Sequence, residues 1–196
     1  MYEIRTQKNE IRARYKDKRA SLAPEQKRAR DAKVCSLFLQ LATFRFADTL
    51  LLYAPKSGEI DINPVIDRAL ELGKRVALPR CDAERAKMTY HFITSRSQLK
   101  PGAFGILEPD ASLPVYDPLT DEGNAVCVVP ALVFDKNGFR LGYGKGYYDR
   151  YLPAFKGTKV GVIYQDFILN RVPRGRYDLA VDVMVTDKGV RALSVN

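Results

Sequence analysis

Three glycines alternate with a tyrosine and a lysine in one short segment, at positions 142, 144 and 146. Glycine has no Cβ, so a backbone built in this way lets N–H groups approach the oxygens of an anion closely. Arg140 and Lys145 add the formal charge that the β- and γ-phosphates of a nucleotide attract. The residue types and their spacing therefore predict a cradle for a polyanion.

The residues after the glycines extend this predicted cradle. The segment 146–151 can begin a helix whose amino terminus faces the same anion. Asp149 can hold Mg²⁺, a hard ion that prefers carboxylate, water and phosphate oxygens. Four tyrosines crowd the same segment, at positions 143, 147, 148 and 151, and they favour a flat aromatic ligand beside the polyanion.

The spacing differs from two standard phosphate-binding motifs. A P-loop requires G-x-x-x-x-G-K-[ST], but here Lys145 precedes Gly146, and Phe139 stands where the first glycine would be. A dinucleotide fingerprint requires G-x-G-x-x-G, whereas this chain has G-x-G-x-G. The segment therefore predicts a distinct cradle, with a generic flexible glycine loop as the alternative.

Length and composition predict one domain over 1–196. The chain has 196 residues, and 46% of them are apolar, which is enough for a sizeable core. No apolar run approaches the length of a membrane span, and Glu3, Glu10 and Asp17 disfavour a signal or transit peptide. We expect a soluble, cytoplasmic protein with no membrane partner, and we expect it to be a monomer.

Histidine and cysteine usage narrows the possible chemistry. His91 is the only histidine in the sequence, which excludes His-pair metal sites and disfavours a Ser-His or Cys-His nucleophile. Cys35, Cys81 and Cys127 are far apart and have no zinc-ligand spacing. We interpret the three cysteines as small buried hydrophobes.

Positive charge is concentrated near the amino terminus. The net charge of the chain is +9, and residues 1–33 hold eleven Lys/Arg against five Asp/Glu, a local charge of +6. Such a run can attract nucleic acid, an anionic membrane or a small polyanion, and its commonest explanation is a solvated helical face. The aromatic residues do not interleave with this run and it has no recognised nucleic-acid motif, so we expect no nucleic-acid partner.

Hydrophobic periodicity predicts alternating helices and strands. Helices are expected over 8–19, from Pro24 and from Pro64, the second with an apolar stripe at Val34, Leu37, Phe38 and Leu41. Strands are expected over 49–54, 75–78, 88–93, 125–129, 159–163 and 180–185, and a loop over 104–118. This alternation predicts a three-layer α/β fold, Rossmann-like, in which helices flank a mostly parallel sheet.

Ligands of such sheets bind at the carboxyl ends of the strands. The glycine segment follows the strand predicted over 125–129, and the loop that carries Glu59 follows the strand predicted over 49–54. Both are therefore expected to open onto the same edge of the sheet.

A long run of residues resembles the signature of the 5-formyltetrahydrofolate cyclo-ligases, also called methenyltetrahydrofolate synthetases. The residues that carry it are Phe134, Asp135, Gly138, Arg140, Leu141, Gly142, Gly144, Gly146, Tyr147, Tyr148 and Asp149. Weaker likenesses extend it over nearly the whole chain, at Lys8 and Arg12, at 58–61 and at 181–186. The fold implied is similar to those of sugar-phosphate isomerases and CoA transferases.

The resemblance implies roles for individual residues. It implies ATP contacts at Lys8, Arg12, Arg140, Leu141, Gly142, Tyr143, Gly144, Lys145, Gly146, Tyr147 and Tyr148. It implies folate contacts at Glu59, Phe104, Tyr143 and Tyr147, magnesium ligands at Asp149 and Asp182, and catalytic charges at Arg140 and Lys145. Tyr148 and Tyr151 are also expected to pack inward, because aromatic residues on helices usually do so.

The implied activity is the ATP- and Mg²⁺-dependent conversion of 5-formyltetrahydrofolate, which can carry a polyglutamate tail, to 5,10-methenyltetrahydrofolate. The substrate supplies both nucleophiles of this reaction, so the protein needs only to position groups and stabilise charge. That requirement agrees with a chain that has few candidate nucleophiles. A nucleic-acid-binding module and a relative of sugar-phosphate isomerases or acyl-CoA transferases remain as alternative functions.

Overall fold

A computed structural model describes residues 2–102, 105–121, 123–175 and 178–193. The helices are α1 Tyr2–Ala20, α2 Pro24–Leu39, α3 Ala42–Phe46, α4 Asn63–Glu71 and α5 Tyr147–Tyr151. The strands are β1 Thr49–Leu51, β2 Arg75–Asp82, β3 Lys87–Ile93, β4 Leu99–Pro101, β5 Leu107–Pro109, β6 Val115–Tyr116, β7 Ala125–Pro130, β8 Val133–Asp135, β9 Arg140–Leu141, β10 Thr158–Val162, β11 Ile168–Leu169, β12 Val183–Thr186 and β13 Gly189–Ala192.

A central sheet of eight strands organises the molecule, in the order β13-β12-β10-β7-β1-β2-β3-β6. The five strands from β12 to β2 are parallel to one another, and antiparallel strands extend the sheet at both sides. Residues 125–129 of β7 are fully buried, as expected for a strand covered on both faces. The predicted α/β fold with a mostly parallel sheet flanked by helices is confirmed.

Helix α2 shows why its segment could be predicted. Pro24 occupies the first turn, where its missing N–H removes no helical hydrogen bond. Val34 and Phe38 are fully buried, whereas Leu37 is half-buried and Leu41 lies beyond the end of the helix. The predicted stripe is therefore correct at its centre and runs past the helix at its carboxyl end.

The loop predicted over 104–118 is wrong in part. Strand β5 pairs with β4 in a separate two-stranded sheet, and β6 pairs with β3 at the edge of the main sheet. Each contributes only two or three residues, too few to give a periodic pattern, and their pairing depends on contacts from elsewhere in the chain. A three-stranded sheet, β11-β8-β9, was likewise not predicted.

Helix α1 crosses the carboxyl edge of the sheet and is anchored there by its last turns. The Tyr15 ring is buried and packs edge-on against Phe167, with ring centroids 5.5 Å apart. The buried guanidinium of Arg19 donates to the carbonyl oxygens of Gly58, at 2.8 Å, and of Ala131 and Leu132. The anchored end therefore fixes α1 against the loops that follow β1 and β7.

None of the helices in the described ranges is both long enough and apolar enough to cross a membrane.

Candidate active site

A cavity of about 400 Å³ opens at the carboxyl edge of the sheet. The loop after β1, the glycine segment after β9, helix α1 and strand β2 all contribute to its wall. The structure therefore brings the Glu59 loop and the glycine segment to one edge, as predicted. Among the predicted residues, its lining includes Lys8, Arg12, Glu59, Arg140, Leu141, Gly142, Tyr143, Gly144, Lys145, Gly146, Tyr147, Tyr148 and Asp149.

The first half of the signature run builds a turn and does not face the cavity. The Asp135 carboxylate is fully buried and accepts the backbone N–H groups of Asn137, at 2.9 Å, and Phe139, at 3.0 Å. Gly138 has φ +83°, and a Cβ there would lie 2.4 Å from Leu193 Cδ1. These residues close the β8–β9 turn, which delivers Arg140 to the site.

The glycine segment is held against α1 by Arg12. Arg12 Nε donates to the carbonyl oxygen of Gly142 at 3.0 Å, and its Nη1 donates to Asn9 Oδ1 at 2.8 Å. A Cβ on Gly144, where φ is +98°, would lie 3.3 Å from Arg12 Cζ. Gly144 therefore has no side chain partly because a guanidinium already occupies that space.

A second arginine holds the other side of the glycine segment. Arg150 donates from Nη2 to the Lys145 carbonyl oxygen and from Nε to the Ala86 carbonyl oxygen, both at 2.7 Å. Gly146 adopts φ +70° immediately before α5, and a Cβ there would lie 2.8 Å from Arg150 Nη1. The segment is therefore bonded on both sides, unlike a generic flexible glycine loop.

Arg140 reaches the cavity from β9, and one of its hydrogen-bond donors has no acceptor among the described residues. Its side chain is buried, and its Nη2 forms an ion pair with Asp149 Oδ1. Its Nη1 is buried with no hydrogen-bond acceptor within the described part of the chain. A buried donor without an acceptor costs free energy, so an anionic oxygen at this position would be favourable.

Lys145 and Lys8 are among the other cations that face the cavity. Lys145 is exposed on the glycine segment and lines the cavity wall. Lys8 Nζ forms an ion pair with Asp178 Oδ2 at 3.0 Å, and Asp178 also lines the cavity. Asp178 was not predicted as a site residue. The feature of the sequence that could have indicated it is that a single carboxylate, Asp178, follows the basic run 171–176.

Glu59 is buried in the wall of the cavity beside Lys56. Glu59 Oε1 lies 3.8 Å from Lys56 Nζ, and Glu59 Oε2 accepts the Lys56 backbone N–H at 3.2 Å. Burial raises the pKa of Glu59, and Lys56 and Arg19 partly oppose that shift. Burial lowers the pKa of Lys56, which neighbouring Glu59 partly offsets. The pair therefore holds two charges that their surroundings disfavour.

The four tyrosines divide between cavity and core. Tyr143 and Tyr147 line the cavity, as predicted. Tyr151 packs on the Tyr90 ring at a centroid distance of 4.9 Å, which confirms its inward orientation. Tyr148 does both, because it lines the cavity while its hydroxyl accepts a hydrogen bond from Tyr90 at 3.4 Å.

Asp182 lies at the opposite edge of the sheet. It directly precedes β12, and its Oδ2 accepts the Lys159 backbone N–H at 2.7 Å and pairs with Lys159 Nζ at 3.0 Å. It lines a separate cavity beside Asn124 and Thr158, at the amino ends of the strands. The structure therefore places Asp149 and Asp182, the two predicted magnesium ligands, on different cavities and does not bring them together. Phe104, predicted to contact folate, lies outside the described residues.

The surroundings of the cysteines and of His91 are those of structural residues and not of nucleophiles. Burial raises the pKa of Cys35 to about 12 and that of Cys81 to about 11, so both thiols stay protonated at neutral pH. Cys35 and Cys127 are buried as predicted, whereas Cys81 is only half-buried and lines the cavity, so the prediction is wrong for that residue. His91 is buried, with its ring nitrogens 3.1 Å from Thr89 Oγ1 and 3.0 Å from the Leu113 carbonyl oxygen.

Known sequences resemble this chain along most of its length. The model of the 5-formyltetrahydrofolate cyclo-ligase family matches residues 4–187. A probable 5-formyltetrahydrofolate cyclo-ligase of Schizosaccharomyces pombe is 29% identical over 93% of this chain and 96% of its own. The 5-formyltetrahydrofolate cyclo-ligase of Mycolicibacterium smegmatis is 36% identical over 74% of this chain and 77% of its own.

Solved structures resemble it in fold. The NMR structure of Aquifex aeolicus 5,10-methenyltetrahydrofolate synthetase superimposes with a TM-score of 0.83 and 38% identity, covering 96% of this chain and 94% of that one. A Mycoplasma pneumoniae 5,10-methenyltetrahydrofolate synthetase, at 22% identity and a TM-score of 0.73, shares the fold. Since the family model spans nearly all of the sequence, including every described residue of the cavity wall named above, the chain belongs to the 5-formyltetrahydrofolate cyclo-ligase family.

Proposed function

We propose that this chain converts 5-formyltetrahydrofolate to 5,10-methenyltetrahydrofolate and hydrolyses ATP to ADP and phosphate in doing so. Because the chain is a member of this family, one observation in particular supports the proposal. A buried acid, Glu59, and a cationic glycine segment line the same cavity from two different loops. The acid suits the N–H groups of a pteridine, and the cations suit a triphosphate.

The proposed chemistry needs no nucleophile from the protein. The formyl oxygen attacks the γ-phosphorus of ATP, and the bond from that phosphorus to the ADP oxygen breaks. The N10 amine of the same folate then attacks the activated formyl carbon, the N10 proton is released, and phosphate leaves with the former formyl oxygen. Because both nucleophiles belong to the substrate, the protein contributes positioning and charge stabilisation.

Arg140 and Lys145 are the proposed catalytic charges. Arg140 has a buried donor that lacks an acceptor among the described residues, and Lys145 extends from the glycine segment along the cavity wall. Negative charge that develops on the transferring phosphoryl group is stabilised best by donors that are already in place. Lys8 and Arg12, which reach the cavity from α1, are proposed to bind the other phosphates.

Asp149 is the proposed magnesium ligand. Its side chain is 43% exposed, lines the cavity and is paired with Arg140, so its oxygens remain accessible. No group of three or more potential metal-ligating side chains occurs in the described ranges, which fits Mg²⁺ better than a metal held by protein ligands alone. Magnesium in nucleotide sites is usually held by one or two carboxylates together with phosphates and water, and it neutralises phosphate charge.

The decisive experiment is a turnover assay. Purified protein is mixed with 5-formyltetrahydrofolate, ATP and Mg²⁺, and the absorbance of the methenyl product is followed. We expect product only when ATP and Mg²⁺ are both present, with one ADP formed for each methenyl group. A protein that is folded by circular dichroism and forms no ATP-dependent product would refute the proposal.

A further inference from the structure

Lys56 is a cation that lines the cavity, and the reaction proposed above gives it no role. It follows β1 on the same loop as Glu59, and its side chain is 30% exposed. It lines the cavity together with Glu59 and Tyr143. A half-buried lysine in the wall of a binding cavity needs an explanation, because desolvation of an ammonium group is costly.

Two contacts fix the direction of the Lys56 ammonium group. Its Nζ lies 3.3 Å from the centroid of the Tyr143 ring, a close cation–π contact, and 3.8 Å from Glu59 Oε1. An ammonium group has three N–H donors, so these two contacts leave one for a ligand. Lys16, the next cation along this wall, lies 6.0 Å from the same ring.

Glu59 and Lys56 together present acceptors beside a donor. The two carboxylate oxygens of Glu59 accept, and the ammonium group, 3.8 Å from one of them, donates. Glu59 Oε2 already accepts one backbone N–H, but a carboxylate oxygen has a second lone pair to offer. The order along the cavity wall is therefore acceptor, acceptor, donor.

One edge of a pteridine carries the complementary order. Its 2-amino group and N3–H are donors, and its 4-oxo group is an acceptor. Resting on the function proposed above, we propose that Lys56 is a specificity residue that donates a hydrogen bond to the 4-oxo group of the folate while Glu59 accepts from the 2-amino and N3–H groups. The site thereby selects 4-oxo pteridines over 4-amino pteridines.

The pairing also accounts for the two disfavoured charges. Burial opposes the charge of both Glu59 and Lys56 in the free protein, and the 3.8 Å between Glu59 Oε1 and Lys56 Nζ is longer than a hydrogen bond. A ligand edge that supplies two donors and an acceptor would satisfy both. A 4-amino pteridine would instead set donors against the ammonium group and leave it without an acceptor.

The test compares kcat/KM for 5-formyltetrahydrofolate and for its 4-amino-4-deoxy analogue, in the wild type and three variants. Wild type is expected to prefer the 4-oxo substrate by roughly 10- to 100-fold, the value of a hydrogen bond to a charged group. Lys56→Met should reduce that preference several-fold, mainly by losing the 4-oxo substrate, and Glu59, which accepts from N3–H, should keep the remainder. Lys56→Arg should retain it, because arginine keeps the donors. Lys33→Met, at an exposed position on α2, is the matched control and should behave as wild type.

Each outcome decides a different claim. If Lys56→Met lowers turnover of both substrates equally, or if wild type shows no preference, Lys56 only supports the loop and the specificity role is wrong. If wild type turns over neither substrate, the proposed function itself fails, and the role of Lys56 fails with it. Wild-type turnover of 5-formyltetrahydrofolate with an unchanged ratio in Lys56→Met overturns the Lys56 proposal alone.

Discussion

The carboxylate–lysine pairs at the two edges of the central sheet have the same pattern of contacts but different lengths. Asp182 lies 2.7 Å from the backbone nitrogen and 3.0 Å from Nζ of Lys159, whereas the corresponding distances from Glu59 to Lys56 are 3.2 and 3.8 Å. At the amino edge, Asp182 bonds both the backbone and the side chain of Lys159, and Asp48 Oδ2 accepts the Asn124 N–H at 2.9 Å. At the carboxyl edge, Arg140 keeps a donor without an acceptor among the described residues, and burial shifts the pKa of Glu59 upwards. The shorter contacts of Asp182 stabilise the fold, whereas the longer contacts of Glu59 and the Nη1 of Arg140, unpaired within the described ranges, leave bonding capacity for a ligand.

The largest effect that this contrast predicts is on catalysis. Lys145→Ala should lower kcat/KM for 5-formyltetrahydrofolate by roughly 10²- to 10³-fold, the effect that the loss of one pre-positioned hydrogen-bond donor has in other enzymes. The midpoint of thermal unfolding should barely change, because the Lys145 side chain is exposed. Steady-state kinetics and differential scanning calorimetry measure the two quantities.

Lys156→Ala is the control for that variant at the other edge. Lys156 is also exposed and lines the amino-edge cavity. It should retain wild-type kinetics. Equal losses in the two variants would show that net positive charge, not position, determines the rate.

The next effect is on stability at the carboxyl edge. Arg19→Met should lower the free energy of unfolding by about 3 kcal/mol, because it leaves buried carbonyl oxygens without donors. Those carbonyls belong to Gly58, Ala131 and Leu132 in the two loops that flank the cavity. Urea denaturation gives the value. A change below the error of the measurement would mean that water replaces the guanidinium and that the loops do not depend on it.

A smaller effect concerns pH. Glu59 must be ionised to accept two N–H groups from the pteridine, and burial raises its pKa. The KM for the folate should therefore begin to rise, as pH is lowered, at a higher pH than an ordinary glutamate would give. Glu59→Gln should raise KM at neutral pH by about tenfold, equivalent to ~1.4 kcal/mol, and should remove this acidic limb. A limb that persists in the variant would belong to another group.

The smallest effect separates Asp182 from Asp149. Asp182→Ala should cost about 1 kcal/mol of unfolding free energy through its lost hydrogen bonds and leave the Mg²⁺ requirement unchanged. Asp149→Asn should raise the Mg²⁺ concentration needed for half-maximal rate several-fold, and it should also lower stability because it removes the carboxylate paired with the buried Arg140 guanidinium. Titration of Mg²⁺ against initial rate distinguishes them. A raised requirement in Asp182→Ala would argue that the two carboxylates act on the same ion.

Strong periodic segments were predictable because one physical cause fixes each of them. The apolar run of β7 has no alternation, as a strand covered on both faces requires, and Pro24 and the Val34–Phe38 stripe fix α2. Strands β5 and β6 were missed because two or three residues cannot carry a pattern. Their pairing is decided by partners elsewhere in the chain.

The candidate site likewise contains some residues that could be predicted from the sequence and others that could not. The glycine segment and Glu59 were predictable because each follows a recognisable strand, and the carboxyl ends of parallel strands meet at one edge. Asp182 was misplaced because the strand predicted over 180–185 begins only at Val183, which leaves this aspartate at the amino end. Asp178 was missed because it lies on an irregular loop, where only tertiary packing brings it to Lys8.

The β8–β9 turn bears on how family membership is inferred from short motifs. Asp135 and Gly138 have structural roles in this turn. The Asp135 carboxylate accepts hydrogen bonds from backbone N–H groups, and Leu193 fills the space beside Gly138. A descendant that lost Lys145 would still need both residues to fold. The first half of the signature therefore reports on the shared fold, and under the function proposed above its second half, from Arg140 to Asp149, is the part that bears on activity.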